Sequence, residues 1–549
     1  SLRKNRSDIK NEYFSLTTSN NHPVPFHPCS HKNSKKEKLK NNLLFFSLIN
    51  ILWLLLRTGT KPSRIVYPCQ QTALSNVSMS LSILFPLSIN ALSSEITTFL
   101  SKNKKLILAL SVIGVIGFGL VVRPLDSYQE CQLILEPRNA TGYPVSDIYV
   151  VNGETAAHVA ELVDLMGSEG LLFYKSNVEG TNSGSEGLIA RDDVVLLKIN
   201  AQWPYRGGTN TDILKELIQV IVDHPDSFVG EIVVVDNGQG RGSMDWTSNN
   251  AEDHGQSTQD VVDIYSSNYN VSTYLLDSIR GTRVDEYSEG DMTSGYILYD
   301  TADPETGIQV SYPKFETDYG TPISFKYGIW NGTGYEKRLK VINMPVLKSH
   351  SIYGVTAALK NYMGVQSEKD VFCGGIANGH ATVGTGGMGT LMVETGLPVL
   401  NIIDAIWVNA NPKSGPSTSY SAATRVNVLV AGTDPVALDY WAAKHVLVQA
   451  ANLTGHSDTR TLDPDNTEKS GLAEAFGVWL DLTKNEITRG DYSVTSNENN
   501  LNVHVYQNGS TTLTISKKSS TALVQGFGLT CVVLSLATCI PLILRKQRK

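Results

Sequence analysis

The chain has 549 residues, with 46 Lys+Arg, 53 Asp+Glu and a formal net charge of −7, room for two or three ordinary domains or one large domain with additions. The charge is uneven: residues 124–520 hold about 26 basic against about 49 acidic side chains, near −23, and the flanks are basic. So acidic a segment is not expected to bind nucleic acid, whose affinity rests on neutralising phosphate with Lys and Arg.

In chain order, residues 1–42 are polar and basic and are expected to be disordered. Membrane segments are expected within 43–122. The uncharged run 43–56 follows Lys32, Lys35, Lys36, Lys38 and Lys40, and 106–122 follows Lys102, Lys104 and Lys105. A further candidate, 78–94, is rich in Ser and holds Pro86. A last uncharged run, 522–544, leads into the basic tail 545–549. About 20 apolar residues, rising ~1.5 Å each, cross a hydrocarbon core of roughly 30 Å. With the basic clusters on the cytoplasmic side, the segment between them is expected outside the cytoplasm, at the cell membrane and next to membrane lipid. Five N-x-S/T sequons there, Asn139, Asn270, Asn331, Asn452 and Asn508, are candidate glycosylation sites.

Residues 124–485 are expected to form an α/β domain, a mostly parallel sheet with helices on both faces. The run 194–199 (VVLLKI) is a predicted strand, 211–224 a helix, 231–236 (EIVVVD) a strand, 258–266 a helix and 272–276 a strand. Continuous apolar strands suit a sheet covered on both sides. Residues 281–337 form a β-rich insertion. The alternation then resumes with a strand at 339–344, a helix at 355–363, strands at 399–404 and 426–430, and a helix at 434–448. Residues 486–520 are expected to close as a membrane-proximal hairpin turning at Asn508-Gly509.

Ligands of open parallel sheets bind beyond the carboxyl ends of the strands, so the residues that follow each strand are the candidates. After the first come Lys198 and Asn200, then Gly207-Gly208-Thr209 at a helix start. After the second comes Asp236 before a Gly-rich loop. The densest cluster is 343–364, in which Lys348, His350, Lys360 and Asn361 offer donors to an anion or carbonyl and a proton-transfer group. His380 lies in a Gly-rich loop whose Gly384-x-Gly386-x-x-Gly389 lacks the preceding strand of a dinucleotide fingerprint. Asp404 ends a strand, and Asp434 opens the last long helix as an N-cap, with Pro435 at its first position. Catalytic candidates are therefore Lys348, His350, Lys360 and Asn361. Ligand-binding candidates are Lys198, Asn200, Thr209, Asp236, His380, Asp404 and Asp434. The segment holds only Cys131 and Cys373, whose pairing the sequence leaves open. Without a C-x-x-C, no iron–sulfur cluster is expected, and the cofactor and metal are unknown.

The segments VVLLKIN, VVVDNG, MPVLKSH, VTAALKNYMG, IIDAI and GTDPVALDYWA, in this order over about 190–450, resemble the domain of unknown function 362 family. The run 57–71 (RTGTKPSRIVYPCQQ) is similar to the leader of membrane-anchored archaeal members. The resemblance implies a shared set of positions but no reaction, and the iron–sulfur segments appended in some members are lacking here. Two functions remain: an extracytoplasmic enzyme acting on a small anionic or carbonyl substrate, and a non-catalytic ligand- or metal-binding surface module.

Overall fold

The structure, a computed structural model, describes residues 126–153, 158–239, 246, 252, 255–298, 306–368, 379–469, 472–508 and 514–520. The chain divides into units Ser1–Arg123 and Pro124–Lys549, and the described residues all belong to the second.

Its centre is a 12-stranded sheet. The strands are β1 (Asp126–Gln132), β2 (Ser146–Gly153), β3 (Val194–Ile199), β4 (Glu231–Asp236), β5 (Asn270–Leu275), β6 (Leu339–Met344), β7 (Val346–His350), β8 (Gly354–Thr356), β9 (Leu400–Asn409), β10 (Thr424–Gly432), β11 (Leu501–Asn508) and β12 (Thr514–Ser520). The main path runs β11-β2-β10-β9-β6-β3-β4-β5. Neighbours from β9 to β5 pair in parallel, whereas β10 is antiparallel to both β9 and β2. Off the path, β7 pairs with β8 and β9, and β1 with β10 and β12.

Eight α-helices are described: α1 (His158–Ser168), α2 (Thr211–Val222), α3 (Thr258–Ser266), α4 (Ala358–Asn361), α5 (Gly387–Thr395), α6 (Pro435–Trp441), α7 (Val448–Leu453) and α8 (Phe476–Arg489). Between α6 and α7 the chain makes a π-helical turn at Ala442–Leu447. Alternation along β3 separates two cores. Val195 and Leu197 join Leu162, Leu217 and Val261 of α1, α2 and α3, while Val194 and Leu196 join Leu359, Leu391, Val436 and Trp479 of α4, α5, α6 and α8. Both faces are thus covered, which is why β3 and β4 are buried at every position. Residues 295–336 add a five-stranded antiparallel sheet.

Four expectations are corrected. First, among the described residues no helix is long and apolar enough to cross a membrane. The longest, α8, has 14 residues, ~21 Å of rise, and carries Asp481, Lys484, Glu486 and Arg489. The runs 43–56, 78–94, 106–122 and 522–544 lie outside the described residues. Second, the sheet is mostly parallel but mixed, with β10 antiparallel to both β9 and β2 because β9 and β10 return on each other directly. Third, the closing strands do not form a hairpin: β11 pairs in parallel with β2, and β12 antiparallel with β1. Fourth, the helix expected at 355–363 begins as β8. Val355 and Thr356 complete a hairpin with β7, and the helix starts at Ala358, where Asp439 accepts the N–H groups of Ala358 and Leu359 at 2.7 and 3.0 Å.

Candidate functional site

The chain runs β3, β4, β5 outward to one side and then sets β6 on the other side of β3. This reversal opens a crevice at the carboxyl ends of β3, β4 and β6, where a parallel sheet binds ligands. A cavity of about 50 Å³ lies there, lined by Asn200, Asp236, Lys348, His350, Lys360, Asn361 and His380 among others. A water needs roughly 10–15 Å³ by the same measure, so the space suits a ligand of a few heavy atoms.

Lys198 lies beneath the cavity, bonded to two of its lining residues, Asp236 and Asn361. It shares the parity of Val194 and Leu196, so it stands on the face of the α4, α5, α6 and α8 core and is fully buried. Its Nζ meets Asp236 Oδ1 at 2.8 Å and donates to Ile199 O at 2.7 Å and Asn361 Oδ1 at 3.2 Å. Burial lowers the Lys198 pKa, and the Asp236 charge opposes that shift. The other oxygen of Asp236 accepts the Ala201 N–H at 2.7 Å. Gly364 lies over this pair. A Cβ there would stand 2.2 Å from Asp236 Oδ1 and 2.7 Å from Lys198 Nζ, so only glycine permits the approach.

Asparagines tie that pair to the cavity lining. Asn361 donates to Lys198 O at 3.1 Å and Asn343 Oδ1 at 2.8 Å. Asn200 donates to Asn361 Oδ1 at 3.3 Å and accepts from Lys348 Nζ at 3.0 Å. Lys348, also fully buried, donates in addition to Gly207 O. Its pKa is held well below the usual lysine value, chiefly by burial and then by the Lys360 charge.

His350 sits at the turn between β7 and β8. Its Nδ1 accepts the N–H groups of Ile352 and Tyr353 at 3.1 and 3.3 Å. These bonds place the ring proton on Nε2, so His350 is a neutral donor rather than a base. Burial, followed by the nearby Lys360, His380 and Lys348, pushes its pKa far below 6.5. Lys360 Nζ lies 3.3 Å from His380 Nε2 and 5.5 Å from the Tyr353 ring centre.

Three other candidates serve the scaffold. Thr209 donates to Met344 O and accepts the Asn200 N–H, both at 2.8 Å, and so braces Asn200. Asp404 has the parity of Ile402 and Ile406, which join the α1, α2 and α3 core. It accepts the Asn210 and Ile406 N–H groups at 2.7 and 3.1 Å, and burial pushes its pKa up to about 6. Asp434 caps α6 through Val436 and Ala437 and also accepts from Ser146 and Thr495. Among the described residues no group of three His, Cys, Asp or Glu side chains is arranged to hold a metal ion. Cys131 is a buried free thiol, and Cys373 lies outside the described residues.

Sequence reasoning missed Thr356, Gln239 and Met363, which also line the cavity. Thr356 stands opposite Lys348 in the β7–β8 pair, and its buried Oγ1 has no hydrogen-bond partner among the described residues. Gln239 adopts a left-handed backbone, φ 57°, in the loop after β4 and donates to Met363 O at 2.8 Å. The Asp-Asn-Gly sequence before Gln239 signals a turn but not which side chain it turns inward.

Fold and site together define an α/β protein with a small polar cavity, lined by Lys348, Lys360, His350 and His380, at a switch point of its sheet. Residues 335–444, which run from just before β6 to just beyond α6, match the family model described as a domain of unknown function (DUF362), and the match supports that family. It covers Lys348, His350, Lys360, Asn361 and His380, while Lys198, Asn200 and Asp236 precede it. No curated protein and no solved structure matches the chain.

Proposed function

We propose that the cavity binds a small anion bearing a carbonyl group and acts on it as an enzyme. The observation that carries this reading is the charge balance. Lys348, Lys360, His350 and His380 line the space, and the one lining carboxylate among the described residues, Asp236, is already paired with Lys198. Lys360 is buried, and a cationic donor at a buried position favours an anion more than it would at the surface. The orphaned Thr356 hydroxyl supplies a further donor.

Isothermal titration with pyruvate, inorganic phosphate and the neutral analogue acetone tests the reading. Pyruvate is expected to bind and acetone not, and Lys360→Met is expected to weaken pyruvate binding at least about tenfold, equivalent to ~1.4 kcal/mol. Absence of binding by both anions, or undiminished affinity in a folded Lys360→Met variant, would overturn it. Chemical change in bound pyruvate separates an enzyme from the alternative, a module that only binds.

A setting outside the cytoplasm is supported by the acidic charge of the domain and by the exposure of Asn139, Asn270, Asn331 and Asn452. A mass shift on glycosidase treatment of protein from its native source is the expected result.

A further inference from the structure

We propose that Lys348 is a nucleophilic amine that forms an imine with the carbonyl carbon of the ligand. This rests on the reading of the cavity as a site for a carbonyl-bearing anion, and it names the chemistry that the site performs.

Three fully buried lysines are described, and their surroundings differ. Lys198 is matched by the Asp236 carboxylate at 2.8 Å. Lys314, in the five-stranded sheet, donates to the backbone oxygens of Asp285 and Asp291 and stands 4.5 Å from the Tyr287 ring centre, outside the cavity. Lys348 alone of the three lines the cavity, and it has no ion pair among the described residues. Its Nζ donates to two neutral oxygens, Asn200 Oδ1 and Gly207 O. A neutral amine has two N–H donors and one lone pair. Two acceptors use both donors, and the lone pair is left for the cavity. An ammonium would bury a charge with no carboxylate beside it, which is costly.

The electrostatics agree. Burial and the charges of Lys360 and Lys198 favour the neutral form, and Asp236 is the opposing charge. A desolvated lysine beside other cations is a known way to make an amine nucleophilic at neutral pH. Asn200 is itself fixed by Thr209 and Asn361, so the amine is held in place before the ligand arrives.

The step balances without an added reagent. The lone pair of Nζ forms a bond to the carbonyl carbon, and the C=O electrons move to oxygen. One N–H proton passes to that oxygen to give a carbinolamine. The hydroxyl then leaves as water with a proton from the Lys360 ammonium, and the nitrogen electrons form the C=N bond of a protonated imine. The protonated imine then carries the positive charge that Lys360 gave up, beside the ligand's carboxylate, and the neutral His350 donor meets its other oxygens.

The test is reductive trapping. The full-length protein is incubated with pyruvate and sodium borohydride, digested and mapped by mass spectrometry. A reduced pyruvate adduct on Lys348, in preference to the exposed Lys413, is the expected result. The adduct should be lost in Lys348→Met and should persist in Lys484→Met, a surface control. Because the map is read on the unaltered chain, it does not depend on a variant that folds. Pyruvate binding by calorimetry without an adduct on Lys348, or an adduct spread over exposed lysines, overturns the inference and leaves the binding site standing. A protein that binds neither pyruvate nor phosphate removes both.

Discussion

At Gly364 a hydrogen is all that separates the backbone from the Lys198–Asp236 pair. Gly364→Ala forces the two charges apart or lifts the chain end that carries Asn361. Overpacking of this kind costs typically 1–3 kcal/mol. A denaturant titration is expected to show that loss, together with weakened ligand binding. Stability within ~0.5 kcal/mol of the parent would mean that the pair is not held as described. His350 makes a second residue-scale prediction. Its folded-state pKa lies far below 6.5, so below that pH the unfolded chain takes up a proton that the folded ring refuses. Stability attributable to this group is therefore complete above pH 6.5 and falls as the pH drops, by up to ~1.4 kcal/mol per unit. His350→Gln should flatten the acid limb of a stability–pH profile between pH 6.5 and 4.5. An unchanged slope would show that His350 titrates normally.

The short helix α4 places Lys360 and Asn361 in the cavity, and its start is set by one side chain from α6. Asp439 is fully buried and accepts the first two N–H groups of α4, those of Ala358 and Leu359. Asp439→Ala orphans two buried donors and is expected to cost about 2–4 kcal/mol. Asp439→Asn keeps an acceptor and should cost less. Burial also pushes the Asp439 carboxyl up to about 8 from 3.8, so the folded chain holds a proton there that the unfolded chain releases. Stability from this group thus falls as pH rises from about 4 to about 8, and Asp439→Asn should remove that slope in thermal melts. Equal melting behaviour of all three proteins would contradict the capping role.

Elements of this kind were only partly legible in the sequence. VVLLKI and EIVVVD read as strands because their runs are apolar and β-branched, and α2 reads as a helix because Ile213, Leu214, Leu217, Ile218 and Ile221 recur on one side. Period says nothing about partners. The alternation in β11 marks a strand but not that it lies along β2, some 350 residues earlier. Val355 and Thr356 read equally well as the first turn of a helix until β7 is beside them. In the site, Lys and His at strand ends stand out against apolar runs. Thr356, Gln239 and Met363 do not, because a hydroxyl, an amide and a thioether become lining groups only once distant segments meet. Asp404 stood out for the same reason as Asp236, yet Asp236 lines the cavity and Asp404 does not.

At the scale of the whole described unit, both cores share one sheet, so loss of an edge reaches the site through the strands between. β11 covers β2, buries Leu501 and Val503 and is followed by β12, which pairs with β1. A chain ending at residue 500 would expose the β2 edge, and exposed edges template association. It is expected to run as aggregate on size exclusion, and a monodisperse, ligand-binding truncation would contradict the role of these strands. The acidic exterior and the cationic cavity are complementary parts of the same account. On the proposed reading, the acidic exterior repels anions in general while buried Lys360 favours one inside the cavity.

On the proposed reading Asp236, Lys348, His350, Lys360 and Asn361, with Lys198 beneath them, enclose one anion-binding cavity at the carboxyl edge of β3, β4 and β6. A crystal structure of the protein soaked with pyruvate tests it most directly. Density is expected in that cavity, with the carboxylate beside Lys360 and the keto carbon within reach of Lys348 Nζ. An empty cavity in crystals saturated with pyruvate, or pyruvate bound only elsewhere, would contradict it.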